Sequence, residues 1–335
     1  MRFGLIGGGR WAQVHKDALA TVGAELAAVL VASTQSAERV TREWGVPTFT
    51  QLESFLALEF DAVIVASPNY LHAQHAVASL ESGRHVLVEK PMALDVADCD
   101  RIIAAARSSN RYVAVGLEMR FFKLFERVKE LLDDGAVGTP LHLRLDLWRR
   151  PYRAGAGGWK SDPAKVGSSI LEEPIHYLDL ARWYLAPHLG EPTQVHAWAT
   201  GRQDAPAAWE NLDVRLDFGE SRALVTRSNA AWGHQVRLHL VGTDGALQAE
   251  WRGDMDLDPH PLQALVVKRG HHADAEAVQV PVAPSGHAFD LPRQTQAFMQ
   301  AATGQATNLA SAADGRAAVA LCLAVERALQ DGGAA

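Results

Sequence analysis

Short apolar runs separated by segments of helical period set the rhythm of the first 120 residues. Phe3 to Ile6, Leu26 to Ala32, Ala62 to Ala66, Val86 to Val88 and Tyr112 to Val115 are unbroken apolar stretches, the pattern of strands buried on both faces. Between them the period changes. Trp11, Val14, Ala18 and Leu19 fall at helical spacing, and further helices are predicted up to about Ser82 and over Val96 to Arg107. Strands and helices alternating at this pace predict a doubly wound parallel sheet.

Past residue 120 the pattern is different. A helix from Arg120 to about Asp133 is stopped by Gly135, Gly138 and Pro140. Leu141 to Arg149 then alternates, with Leu143, Leu145 and Leu147 on one face and Arg144, Asp146 and Trp148 on the other. Val214, Leu216 and Phe218 alternate likewise, as do Val236, Leu238 and Leu240, and Asp244-Gly245 supplies a hairpin turn. Helices over about Phe289 to Ala302 and Ala312 to Gln330 close the chain. The reading is α/β: a doubly wound parallel sheet over 1–120, then an α+β domain over 121–335 built on a predominantly antiparallel open sheet. An open sheet face of this kind is commonly covered by another subunit, so a homodimer or homotetramer through that sheet is expected.

Composition narrows the partners. The 335 residues suffice for two domains at about 150 residues each. A net charge of -7 argues against nucleic acid; the one dense basic run, Arg149, Arg150 and Arg153, is too short to overturn that. Cys99 and Cys322 lie far apart in helix-like segments and suggest neither a disulfide framework nor a metal site. Met1 leads straight into a strand, and no apolar run approaches about 18 residues. The expectation is a cytoplasmic protein with no membrane partner.

The first strand runs into Gly7-Gly8-Gly9-Arg10-Trp11-Ala12 and then a helix, the order a dinucleotide site requires. Gly7 would permit the tight turn, Gly9 would let the backbone approach a pyrophosphate, and Ala12 would sit where helix and strand pack closely. The second strand ends in Ser33-Thr34 with no acid for a ribose 2′-hydroxyl, and Arg39 and Arg42 follow. This leans slightly to NADP over NAD, although both arginines could be the solvated face of a helix. After the third strand come Ser67-Pro68-Asn69 and His72, where Asn69 could bond a ribose or amide or simply cap a helix.

Val86 to Val88 end in Glu89-Lys90-Pro91. Proline interrupts the ladder, which puts Glu89 and Lys90 at the carboxyl end of a buried parallel strand, where open α/β sheets bind ligands. Desolvation would push the lysine down from about 10.4, letting it hold or release a proton at a substrate oxygen; a plain surface ion pair is the alternative. Later, Glu172 precedes a helix started by Pro174, on which His176 and Asp179 share a face. They are read as a proton-transfer group opposite Lys90, against the alternative of a capped helix with a surface histidine. Trp159-Lys160 and Arg149 to Arg153 could line a sugar pocket or be surface loops. His271-His272 has no acid or Cys ligands at sensible spacing, so no metal site is expected.

Gly7-Gly8-Gly9 with His15, Ser67-Pro68-Asn69 with His72, Glu89-Lys90-Pro91, and Gly116 with Arg120-Phe121, in this order and spacing, resemble the Gfo/Idh/MocA family of oxidoreductases. The resemblance implies a nicotinamide cofactor, sugar or polyol substrates, and Arg120 among the cofactor-binding positions. In the family pattern an acid, a glycine, the histidine and a further Asp recur; Glu172, His176 and Asp179 match, and Pro174 replaces the glycine. The implied activity is hydride transfer between nicotinamide and a secondary hydroxyl or carbonyl of a sugar, sugar acid or cyclic polyol, with His176 as base, Glu172 or Asp179 fixing its tautomer, and Lys90 stabilising the alkoxide. The rivals are a cofactor-binding sensor without turnover and a metal-assisted hydrolase using Glu172, His176 and Asp179 as ligands.

Overall fold

The computed structural model describes residues 1–150, 159–160, 162–201, 209–231, 233–253, 258, 260–270, 272–282 and 290–333. The chain forms two compact units. The first comprises Met1–Leu117, Ala154–Gly167 and Leu291–Ala320, and the second Glu118–Arg153, Ser168–Asp290 and Leu321–Ala335. The sequence reading placed one boundary near residue 120; the chain instead returns to the first unit twice. Apolar packing accounts for the longer return, because Phe298 sets its ring 6.1 Å from those of both Phe3 and Tyr112.

In the first unit the elements run β1 (Arg2–Ile6), α1 (Arg10–Thr21), β2 (Glu25–Leu30), α2 (Thr34–Trp44), β3 (Thr48–Phe49), α3 (Leu52–Leu56), β4 (Ala62–Val65), α4 (His72–Glu81), β5 (His85–Glu89), α5 (Val96–Ser109) and β6 (Val113–Gly116). Their sheet has the order β6-β5-β4-β1-β2-β3, all parallel. Phe3, Leu5, Val63, Ile64, Val86 and Val88 are fully buried, as strands covered on both faces require. From β1 the chain steps outward through β2 and β3, then comes back to the opposite side of β1 for β4. The order therefore reverses between β1 and β4, and ligands of open α/β sheets bind outside the carboxyl ends at such a point.

The second unit holds α6 (Lys123–Asp133), β7 (Pro140–Trp148), α8 (Ser169–Glu172), α9 (Pro174–Leu189), β8 (Gln194–Gly201), β9 (Trp209–Phe218), β10 (Ser221–Ser228), β11 (His234–Gly242), β12 (Gly245–Gly253), β13 (Leu262–Arg269) and β14 (Glu276–Ala277). The sheet order is β14-β13-β12-β11-β7-β10-β9-β8, with every pairing antiparallel except β7 with β10. Leu143, Leu145, Leu147, Val214, Leu216, Leu238 and Leu240 point to the buried face, as the alternation demanded. α9 packs against β7, β9 and β10. The expected start of α6 at Arg120 is corrected: Glu118–Phe121 is a 3-10 turn and the helix begins at Lys123.

The remaining elements are α7 (Pro163–Val166), which belongs to the first unit, α10 (Leu291–Ala302), which packs on α1, β15 (Ala310–Ser311), which adds antiparallel to β6, and α11 (Ala312–Ala328). Among the described residues, no helix is long and apolar enough to cross a membrane.

Candidate active site

The glycine turn sits at the switch point. Gly7 has φ +129°, and a Cβ there would lie 2.5 Å from the Ala66 carbonyl oxygen at the end of β4. Close approach of the two strand ends therefore demands glycine. Gly9, the residue before α1, would carry a Cβ that meets no atom within 4 Å. No side chain caps α1, and its first turn holds no acid, so its leading amides and positive dipole end suit an anion. Ala12 is fully buried. A dinucleotide pyrophosphate fits this cradle.

At the end of β2, Ser33 and Thr34 are exposed, and the Ser33 hydroxyl caps α2 by accepting the Ser36 N–H at 3.2 Å. Arg39 is half-buried; it donates to the Gly8 carbonyl oxygen and pairs with Glu43 at 3.0 Å. Its guanidinium thus lies against the glycine turn rather than only on a solvated helix face.

Past β4, Ser67, Asn69 and His72, expected among the cofactor contacts, also bond within the first unit. Asn69 donates its amide N–H to the Val166 carbonyl oxygen at 3.0 Å within the first unit. His72 is buried with its ring nitrogens 2.7 Å from the Pro91 and 2.8 Å from the Ser67 carbonyl oxygens. The Ser67 hydroxyl meets His75 Nδ1 at 2.9 Å. Burial pushes His72 down despite its carbonyl partners, and burial with the neighbouring His72 pushes His75 down to about 4. Both groups are more easily protonated unfolded, so their contribution is complete above about pH 6.5 and is lost as pH falls toward 4. We expect thermal melts between pH 7 and 4 to show a loss of order 2 kcal/mol, and His75→Gln to flatten that slope.

Lys90 follows β5 and is half-buried. Glu89, expected among the cofactor contacts, is 5% exposed and its carboxylate accepts from His15 Nε2 at 2.7 Å.

In the second unit, α8 ends on Glu172 and Pro174 opens α9 at its first position. Glu172, Glu173, His176 and Asp179 are all buried. Glu172 or Asp179 is expected to support His176. Arg120 takes both oxygens of Asp179 in a bidentate pair at 2.8 and 2.7 Å, with side chains 4% and 2% exposed. Asp179 is the counter-ion of a buried guanidinium. A carboxylate that does stand near His176 is Glu118, whose Oε1 is 3.4 Å from Nε2. Glu173 pairs with Arg149 and lies 3.9 Å from Arg227 Nη1.

Trp159 and Lys160 belong to the first unit, with the Lys160 ammonium 5.6 Å above the indole. Tyr152, Arg153, His271 and Phe289 lie outside the described residues. The sequence reading did not single out Glu118 or Glu173; Glu118 could have been sought, since it stands two residues before Arg120 at the end of the last parallel strand.

Comparison with known proteins decides the family. A model described as the oxidoreductase family with NAD-binding Rossmann fold matches residues 1–117, and the GFO/IDH/MocA C-terminal domain matches 125–248. Inositol 2-dehydrogenase 1 of Saccharopolyspora erythraea is 33% identical over 279 residues, covering 81% of this chain and 75% of that protein. The chain belongs to the Gfo/Idh/MocA family of oxidoreductases. Inositol 2-dehydrogenase 3 of the same organism is 28% identical over 344 residues, 99% of this chain and 94% of its own. Among solved structures, levoglucosan dehydrogenase in complex with NADH and levoglucosan superposes with a TM-score of 0.82 at 20% identity, over 99% of this chain and 97% of that one. The Rossmann match covers β1 to β6 of the first unit's sheet, and the C-terminal match covers β7 to β11 of the mostly antiparallel sheet.

Proposed function

We propose that the protein is an NAD(P)-dependent dehydrogenase or reductase acting on a secondary hydroxyl or carbonyl of a cyclic polyol, sugar or sugar acid. One observation carries this reading. A glycine turn shaped for a pyrophosphate and a half-buried lysine close the carboxyl ends of β1 and β5, two strands apart in one sheet. Likeness along nearly the whole chain to a protein named inositol 2-dehydrogenase supports the polyol class.

Gly7, Gly9, Arg10 and Trp11 would hold the dinucleotide at the start of α1, with Ser33, Thr34 and Arg39 toward its adenosine end and Ser67 and Pro68 past β4. When bound, the nicotinamide accepts or donates the hydride. Lys90 would donate a hydrogen bond to the reacting oxygen and stabilise negative charge there. His176 would take the hydroxyl proton, with Glu118 and Glu172 as acids able to support the imidazolium. Trp159 and Lys160 would contribute to substrate binding.

The test is a panel of myo-inositol, glucose, glucose 6-phosphate and levoglucosan with NAD⁺ and NADP⁺, followed by absorbance of the reduced nicotinamide. Turnover of at least one cyclic polyol or sugar is expected. Tight nucleotide binding with no turnover across a broadened panel would instead make the protein a sensor.

Cofactor choice is proposed to favour NADP, because β2 ends without an acid and Arg39 stands at the glycine turn. Arg39→Ala should weaken NADPH about tenfold and NADH much less, since one charge-assisted contact is of order 1.4 kcal/mol; fluorescence titration reads this. Leu141, Trp148, Trp198, Val241 and Leu262 are 44–46% exposed on strands of the second sheet. We propose that a second copy covers them, and that Trp148→Glu with Trp198→Glu lowers the mass measured by light scattering.

A further inference from the structure

Glu89 is expensive to bury, and nothing in the sheet calls for a charge there. β5 is otherwise His85-Val86-Leu87-Val88, and an apolar side chain at its last position would complete the core without desolvating a carboxylate. The structure nevertheless builds a fitted enclosure around it. His15, fully buried on α1, presents Nε2 to Glu89 Oε1 at 2.7 Å. Because a carboxylate accepts, that nitrogen must carry the proton. Glu89 Oε2 accepts the backbone N–H of Lys90 at 3.2 Å. Across the sheet Glu89 pairs in register with Gly116, where a Cβ would come 2.8 Å from Oε1. Glycine on β6 leaves the slot the carboxylate fills. The Trp11 ring stands edge-on to His15, centroids 6.4 Å apart at 89°. On the other side of Lys90, His72 fixes the Pro91 carbonyl.

We propose that His15 and Glu89 are a positioning pair that holds a fixed negative charge at the base of Lys90 and so keeps Lys90 an ammonium, a hydrogen-bond donor to the substrate oxygen rather than the base. This rests on the dehydrogenase reading and sharpens it, because it makes Lys90 the donor and excludes it as the base. The electrostatics agree. Burial alone would raise Glu89, but the hydrogen bond from His15, the Trp11 indole and the Lys90 ammonium together hold it below the usual carboxylate range. Among the described residues, the groups facing that carboxylate are His15 and Trp11 from α1, Lys90 from its own strand end, and His72 from α4; β6 contributes the uncharged Gly116. Neither His15 nor Glu89 need touch substrate, so both act through Lys90.

Competitive acetylation of the full chain with acetic anhydride at a series of pH values, read by mass spectrometry at Lys90, measures how far that amine is protonated without any substrate. Glu89→Gln should make Lys90 reactive at lower pH, a shift of about one unit or roughly tenfold greater labelling at fixed pH. Glu89→Asp, which keeps the charge, should restore most of the difference. If Glu89→Gln does not fold, the double variant His15→Leu with Glu89→Met removes both partners together, which buried sites tolerate far better than one orphan, and should give the same shift. An unchanged Lys90 profile in either folded variant would overturn the proposal and leave the pair as packing. Because labelling requires no turnover, an inactive substrate panel with a shifted profile would count against the dehydrogenase reading alone.

Discussion

Lys90→Ala is expected to lower kcat by about a hundredfold or more while nucleotide affinity stays within about threefold. The asymmetry follows from where the parts lie in the sheet. The dinucleotide cradle is built from the end of β1 and the start of α1, its shape set by the positive φ of Gly7 and its contact with Ala66. Lys90 is two strands away, after β5. Removing its ammonium leaves the cradle's backbone unaltered but deletes a donor whose value grows as the oxygen becomes an alkoxide, and loss of one such donor typically costs a hundredfold or more. Lys90→Arg should not rescue it. A guanidinium keeps the charge but spreads it over a planar fork that cannot place one N–H where a primary ammonium did. A small exogenous amine should recover part of the lost rate in Lys90→Ala. His176→Ala should fall by a comparable factor without loss of nucleotide binding. If both variants turned over at the parent rate, the assignment of Lys90 as donor to the reacting oxygen and of His176 as base would be wrong.

The parallel sheet was legible because buried parallel strands leave unbroken apolar runs, and Val86 to Val88 needed no partner to be read. The glycine turn was legible for a related reason: the backbone at Gly7 tolerates no side chain, so the constraint appears as composition. Much of the second sheet was harder. β10 carries Ser221, Ala223, Val225 and Arg227 on its buried face, and a polar residue at each end of that register blurs the alternation. Its parallel pairing with β7 is set by long connections that leave no local mark. The return of Leu291–Ala320 to the first unit was hidden for a similar reason, since an apolar helical stripe says that a helix is buried and not against what.

The site shows the same division. Lys90 and His176 could be picked out because chemistry needs those residue types. Their supports could not, because one carboxylate looks like another along a chain. Spacing put Asp179 on the face of His176, yet spacing cannot show that Arg120, 59 residues earlier, reaches it. Asn69 and His72 were similar cases. Each stands just past a strand end where ligands bind, and each also meets carbonyl oxygens of the protein, which spacing along the chain cannot show.

The Arg120–Asp179 pair carries the largest expected effect on stability. Both side chains are almost wholly enclosed, the pair is bidentate, and the guanidinium also lies 5.4 Å from the Trp183 ring centroid, which stacks on Tyr184 at 5.5 Å. Removing one partner leaves the other charge buried, a loss of about 3–5 kcal/mol. For a unit of this size 1 kcal/mol moves Tm by roughly 2–4 °C, so Asp179→Ala should melt about 6–20 °C below the parent. The decisive comparison is the double variant Arg120→Met with Asp179→Leu. If the pair is structural, replacing both partners with apolar groups should recover most of the lost Tm, since no orphaned charge remains. If Asp179 instead acts on His176 as the sequence suggested, Asp179→Ala should keep its Tm and lose turnover, and the double variant should recover nothing. The two outcomes separate on one melting curve and one rate, and the bidentate geometry commits us to the first.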